Sequence, residues 1–272
     1  MTLRRLLLPA LAFSALLGPG SAAAESAVTS TSSGGARAGW SLSDTEASFR
    51  LGEEGAVSRT ARAASSVKPG RVIRTRRSWE CRGSLRRFGK LPIKVVSRIP
   101  NPGTADAIRL IGCYGDGNPK TVDLILDVRG NGRDLGTGYD AVKIGQSAHD
   151  LVVTGRVACG ARHGSVHQDV VQAMSGYRIK FKDFRSGRPA DGRWTCWGAG
   201  GGWYVSHATG NVPRRVVCVR CRIATYNQNM RIDNAVRSGA RDSVFGYSRS
   251  YGIFIGPQAV NPINVRNRVI RY

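Results

Sequence analysis

The stretch HQDVVQA, His167 to Ala173, sets adjacent β-branched residues among groups that titrate or hydrogen-bond. Val166, Val170 and Val171 favour an extended, packed backbone. His163, His167, Asp169 and Gln172 need water or a partner. Such a mixture is either one rung of a stacked structure with a polar outer side or a site. Its relatives within the chain decide the first question. DAVKIG, Asp140 to Gly145, lies over QDVVQA with Val142 above Val170, an offset of 28 residues. QNMRID follows with Met230 at an offset of 60 from Val170, and YGIFIG places Ile253 another 23 residues on.

Second β-rich runs trail these: LVVTGRV, YRIKFKDF, SVFGY and INVRNRVI, with Gly, Asn, Asp, Ser or Pro between them. No sustained helical period intervenes, which excludes an α/β crossover pattern. A repeat of roughly 20 to 30 residues with two or three short strands per unit predicts an all-β solenoid, a right-handed parallel β-helix. About seven coils fit between Thr104 and Tyr272. Asn227, Asn229, Asn234 and Asn267 can stack and hydrogen-bond along the coils. The alternative is a β-sandwich, whose turns every ~8 to 12 residues this chain also has. The likeness among runs at the longer period favours the solenoid.

The N-terminal part reads differently. Arg4 and Arg5, the apolar run LLLPALAFSALL and the small-residue stretch SAAAE have the order of a secretory signal, predicting a signal peptide over 1–24. The apolar run is too short for a spanning helix, which needs ~20 residues. No later segment reads as a membrane span. Residues 25–75, rich in Ser, Gly, Ala and Arg, bury too little apolar surface to offset ordering entropy, which predicts a disordered linker. Within it SLSDTEASFRL can form a short helix capped by Ser43. The solenoid domain is expected over 76–272, with a basic N-terminal cap region.

The chain carries 41 Lys and Arg against 18 Asp and Glu, a net charge of +23, or +21 without Arg4 and Arg5. Between Arg62 and Lys94 there are eleven basic residues and one acid, Glu80. A surface of this sign gathers polyanions in a salt-dependent manner. For a secreted, extracellular protein the expected partner is an acidic polysaccharide or another extracellular polyanion, with no specific nucleic acid. Trp79 and Phe88, interleaved with arginines in RTRRSWECRGSLRRFGK, either offer stacking faces or pack the start of the domain.

Six cysteines in an exported chain predict disulfides. Cys81 and Cys113 flank the start of the regular region and are expected to pair. Cys218 and Cys221 lie in RRVVCVRCRI; if that run is one strand, their side chains diverge and no bond joins them. Cys159 and Cys196 remain for pairings the sequence leaves open. A zinc site is not expected, because a second C-x-x-C is missing. His163 and His167 at i, i+4 in a strand are too far apart to share a metal.

With Val142, Val170 and Met230 inward, the flanking residues point out. Lys143, His167, Asp169, Asn229 and Arg231 then form one outer patch, and Gln172 points inward with Val170. His167 can act as base or acid with Asp169 orienting it, while Lys143 and Arg231 neutralise a uronate carboxylate. That is the residue set for β-elimination on an acidic polysaccharide. Hydrolysis needs two carboxyl groups ~5 to 9.5 Å apart, and Asp169 with Asp140 or Asp233 is the pair on offer. A second candidate is RWTCWGAGGGWYVSH, where Trp194, Trp197, Trp203 and Tyr204 are sugar-stacking platforms or the cover of the solenoid's flank.

DAVKIG, HQDVVQ and the recurring I-x-I-x-N texture resemble the right-handed parallel β-helix, or pectate-lyase-like, superfamily of exported bacterial proteins over Thr104 to Tyr272. The resemblance implies a carbohydrate-active protein, often one that cuts acidic polysaccharides. The calcium-binding aspartates and catalytic arginine of pectate lyases are not recognisable. RIK occurs at Arg178 to Lys180 without the other polygalacturonase runs. No cofactor is expected beyond calcium, for which no clear site is legible. Two functions remain: a secreted polysaccharide lyase, or a non-catalytic β-helix that binds extracellular glycans and other polyanions.

Overall fold

The computed structural model describes residues 67–98, 106–129, 140–158, 169–186, 201–207, 211–225, 228–247 and 251–271. The helix expected near Ser43 and the linker up to residue 66 lie outside these. Regular structure starts with β1 (Arg71–Thr75), inside the span assigned to the linker. A first coil holds β2 (Trp79–Ser84) and β3 (Ile93–Ser97), and a second β4 (Ile108–Tyr114) and β5 (Leu124–Arg129). The third holds β6 (Val142–Gly145) and a long β7 (His149–Ala158). The fourth has β8 (Asp169–Ala173), β9 (Tyr177–Lys182) and β10 (Arg185–Ser186). The fifth has β11 (Gly201–Ser206), β12 (Arg214–Val219) and β13 (Arg222–Thr225). The sixth has β14 (Gln228–Asp233), β15 (Gly239–Arg241) and β16 (Val244–Tyr247). The last has β17 (Tyr251–Ile255), β18 (Ile263–Val265) and β19 (Arg268–Arg271).

Every pairing between these strands is parallel, and each strand pairs with its counterpart in the next coil. That excludes the sandwich and makes a parallel β-helix with three faces. The first face stacks β2, β4, β6, β8, β11, β14 and β17. The second runs through the start of β7, then β9, β12, β15 and β18. The third runs through β1, β3, β5, the end of β7, then β10, β13, β16 and β19.

The core is built from columns. On the first face Trp79, Ile108, Val142, Val171, Trp203, Met230 and Ile253 stand in line. All but Ile253 are buried, and Phe181 meets Trp203 edge to face from the second face. Burying each such side chain contributes ~1.5–3 kcal/mol, so a charge at Val171 would break the stack at its middle. Val142 sits opposite Val171, not Val170. The expected register was therefore one residue short, and a one-residue slip exchanges inward and outward sets. Gln172 accordingly points out, not in. Trp79 and Phe88 pack against each other with ring centroids 5.2 Å apart, so they close the start of the core instead of stacking on a ligand.

Two corners repeat a backbone device. Between second and third faces Asp183, Arg220, Asp242 and Arg266 take φ of 54°, 52°, 53° and 49° in successive coils. Between first and second faces Asp150, Arg178, Arg215, Arg237 and Asn261 do the same, with φ of 53°, 52°, 56°, 48° and 48°. Left-handed residues turn the chain sharply enough to bring the next face around. From the fourth coil on, the second-to-third corner spends two residues. Connections from the third face back to the first vary: residues 98–107, 130–141, 159–168, 187–200, 226–227 and 248–250.

Cys81 and Cys113 form the expected disulfide, joining the first two coils. Cys218 and Cys221 are also bonded, contrary to expectation. RRVVCVRCRI is not one strand: β12 ends at Val219, Arg220 turns with positive φ, and β13 starts at Arg222. The corner brings the two sulfurs together. Cys159 and Cys196 lie outside the described residues.

Candidate functional site

The residues that follow the inward column point outward and form a line along the axis of the first face. In order they are Glu80, Arg109, Lys143, Gln172, Tyr204, Arg231 and Phe254. Strand spacing sets them ~4.8 Å apart. At one end Arg109 pairs with Glu80 at 2.8 Å. At the other, the Arg231 guanidinium lies 5.4 Å from the ring centroids of both Tyr204 and Phe254, a cation between two aromatic faces. Arg231 also reaches Asp233 at 3.4 Å.

Beneath this line runs a ladder of buried aspartates at the strand starts. The amide of Asp140 donates to Oδ1 of Asp106 at 3.0 Å, and the amide of Asp169 donates to Oδ1 of Asp140 at 2.9 Å. Gly201 takes the next position, where a Cβ would collide with the Asp169 carboxylate. Each aspartate faces the outward residue three positions on. Arg109 lies 3.7 Å from Asp106, Lys143 lies 3.5 Å from Asp140, and Gln172 donates to Asp169 at 3.1 Å. Burial pushes the Asp140 carboxyl up to about 6 against the pull of the Asp169 amide and Lys143. Burial, then the Asp140 charge, pushes Asp169 up to about 8, so it holds a proton at neutral pH. The charges of Lys143 and Arg231 oppose that rise.

The expected patch is thus partly assembled. Lys143 and Arg231 share one outward column but stand three rungs, ~14 Å, apart, with Gln172 and Tyr204 between. Asp169 is 1% exposed and belongs to the ladder below, not to the outer face. Asn229 is buried and accepts from the Thr225 hydroxyl at 2.8 Å, so it holds a corner and is not placed to contact a ligand. Trp203 is a core residue at 0% exposure, which removes it as a platform. Tyr204 does face outward. His167, Trp194, Trp197 and Asn227 lie outside the described residues; the segments that carry the first three lead directly into β8 and β11. The asparagines do not stack in one column: Asn267 bonds Ser243, Ala240 and Asn264, and Asn234 meets His207.

Sequence reading missed Arg109, Gln172 and Phe254. The signal was present in the i, i+3 spacing of Asp106–Arg109, Asp140–Lys143 and Asp169–Gln172, which repeats once per coil. Among the described residues no group of three or more His, Cys, Asp or Glu is arranged to hold a metal ion, and no helix is long and apolar enough to cross a membrane. Compared with protein-family models, curated proteins and solved structures, the chain matches none.

Proposed function

We propose that this protein is an exported β-helix that binds an acidic extracellular glycan along its first face. One observation carries the reading: the outward line from Arg109 to Phe254 mixes three cations, an amide and two aromatic side chains at one residue per coil. The coil rise is close to the length of one sugar residue, so a linear glycan can run parallel to the axis and meet a new side chain at each ring. Cations take its carboxylates and Tyr204 and Phe254 take its ring faces. The net charge of +23 supports long-range attraction to such a polymer. Two disulfides and a signal-like N-terminus fit export.

A β-eliminating enzyme is the second reading. Asp169 carries a proton at neutral pH, is coupled to Lys143 and Arg231, and follows His167 by two residues. Its burial denies it direct access to a sugar, and binding alone is therefore the reading preferred here.

Affinity electrophoresis on polygalacturonate, alginate and neutral glucan gels tests both, with ultraviolet absorbance following unsaturated product. Retardation on an acidic gel is expected to weaken several-fold in Lys143→Ala and Arg231→Ala and to fall with salt. Tyr204→Ala is expected to weaken binding at every salt concentration. Variants that migrate like the parent would remove the first face as the site. An unsaturated product lost in His167→Ala would establish the enzyme instead.

A further inference from the structure

The two left-handed corners differ in charge, and the difference marks a second site. At the second-to-third corner the residues alternate in sign along the axis: Asp183, Arg220, Asp242, Arg266. Arg220 pairs with Asp183 at 2.8 Å and Arg266 with Asp242 at 2.5 Å, so that corner neutralises itself. The first-to-second corner begins the same way, with Asp150 gripping Arg178 through two bonds of 2.6 Å. Then the alternation stops. Arg215 and Arg237 follow in the next coils, and neither has an acidic partner among the described residues.

Like charges on adjacent rungs, ~4.8 Å apart, destabilise a sheet unless something lies between them. The neighbouring column adds a third cation. Tyr114, His149 and Tyr177 stack with centroids 5.0 and 4.8 Å apart, and the next coil sets Arg214 in register with Tyr177. Arg214, Arg215 and Arg237 all line one open cleft of about 780 Å³, which Tyr177 and Asn261 also border. All three arginines are exposed.

We propose that this cleft binds a tetrahedral oxyanion, the sulfate or phosphate group of a small ester, between Arg214, Arg215 and Arg237. Guanidinium groups drawn from two columns and two rungs approach from different directions. Four oxygens around one centre can each meet a fork, whereas a planar carboxylate satisfies one. The paired Arg178, stacked 5.0 Å over Tyr177, forms a fixed wall. The site is independent of the first-face reading, because no residue of the outward line borders the cleft.

Isothermal titration with inorganic sulfate and with inorganic phosphate, in chloride buffer of matched ionic strength, tests it. Saturable binding is expected in the full protein and in Lys143→Ala/Arg231→Ala, which separates this site from the first face. Arg215→Asn/Arg237→Asn is expected to lose binding at least about tenfold. Asparagine keeps the corner, since Asn261 holds the same position with φ of 48°. Thermal melts without ligand should show the double variant folded and no less stable. Titration with a sugar sulfate and a sugar phosphate then tells which ester is preferred. Equal binding by the folded double variant, or no saturable binding by the parent, overturns the site. Galacturonate binding as tightly as sulfate overturns the tetrahedral assignment.

Discussion

Gln172 donates from Nε2 to Oδ2 of Asp169 at 3.1 Å, in the position where the two preceding coils set a cation beside an aspartate. The substitution puts an amide where the two preceding coils have a cation. Burial and the Asp140 charge push the Asp169 carboxyl up to about 8 against the Gln172 hydrogen bond, while Asp140, raised by burial with Lys143 beside it, stops at about 6.

Stability should therefore depend on pH in a defined direction. Native Asp169 keeps a proton that the unfolded chain releases near 4, so its contribution is complete below about 4 and is lost as pH rises to about 8. Asp140 acts with the same sign, ending near 6. Asp150 and Asp242, held low by Arg178 and Arg266, lose stability only in acid. Urea melts at pH 5, 7 and 9 should show the parent weakening across the series. Asp169→Asn should flatten the decline and exceed the parent at pH 9 by on the order of a few kcal/mol. Parallel curves for the two would show that Asp169 does not carry the proton.

Gln172→Lys restores the spacing of the two earlier coils. It should lower the Asp169 carboxyl and reduce the pH dependence. It also adds a cation midway between Lys143 and Tyr204, so retardation on an acidic glycan gel should rise several-fold at low salt and converge on the parent at high salt. Unchanged mobility at low salt would argue that the glycan does not pass over this coil.

The two disulfides should differ in their worth. Cys81 and Cys113 are separated by 32 residues and Cys218 and Cys221 by 3. Loop-closure entropy assigns about 4 kcal/mol to the first and about 2 kcal/mol to the second. Paired Cys→Ala variants compared by urea melts check the order. The corner turn itself persists without the shorter bond, because Arg220 is also tied to Asp183.

Gly155 has φ of 122° and faces Leu126 in the adjacent coil, whose carbonyl oxygen occupies the place of a Cβ. Gly155→Ala should cost ~3 kcal/mol or more and lower the yield of folded protein. Gly83, with φ of 73°, has nothing within 4 Å of that place. Gly83→Ala should cost only the ~1–2 kcal/mol of a left-handed backbone. Equal losses at the two positions would mean that the close approach at Gly155 relaxes.

The solenoid was legible because its repeats share one feature, an apolar inward residue at each return to the first face. The register was not, since Val170 and Val171 are both apolar and both buried, and the pattern alone does not tell which belongs to the column. Gln172 and Ala173 carry the answer: a polar residue outside and a small one inside require Val171 inward. The Cys218–Cys221 bond was hidden because Arg220 bears no mark of a turn residue, yet a left-handed arginine occupies four corner positions in this chain besides. Trp203 looked like part of a glycine-rich loop, although GGWYVS is a strand whose glycines fit beneath Asp169 and Asn229. Of the outward line, Lys143 and Arg231 were singled out in the expected patch and Tyr204 in the separate aromatic segment; the line joining them emerged only once neighbouring coils were paired.

Length variation in this chain is greatest at one seam, the return from third face to first, and smaller at the first-to-second corner, where the connection is three residues in the fourth coil and seven in the fifth. A residue inserted at the second-to-third corner would reverse the parity of the strand beyond it and set apolar side chains in water. One inserted among residues 130–141 or 187–200 leaves the strands on either side in their own pairings with neighbouring coils. The fold therefore tolerates insertion and deletion at the two ends of the first face and forbids it at the second-to-third corner. New segments can be acquired next to the outward line, one coil at a time, while the frame that presents them stays constant.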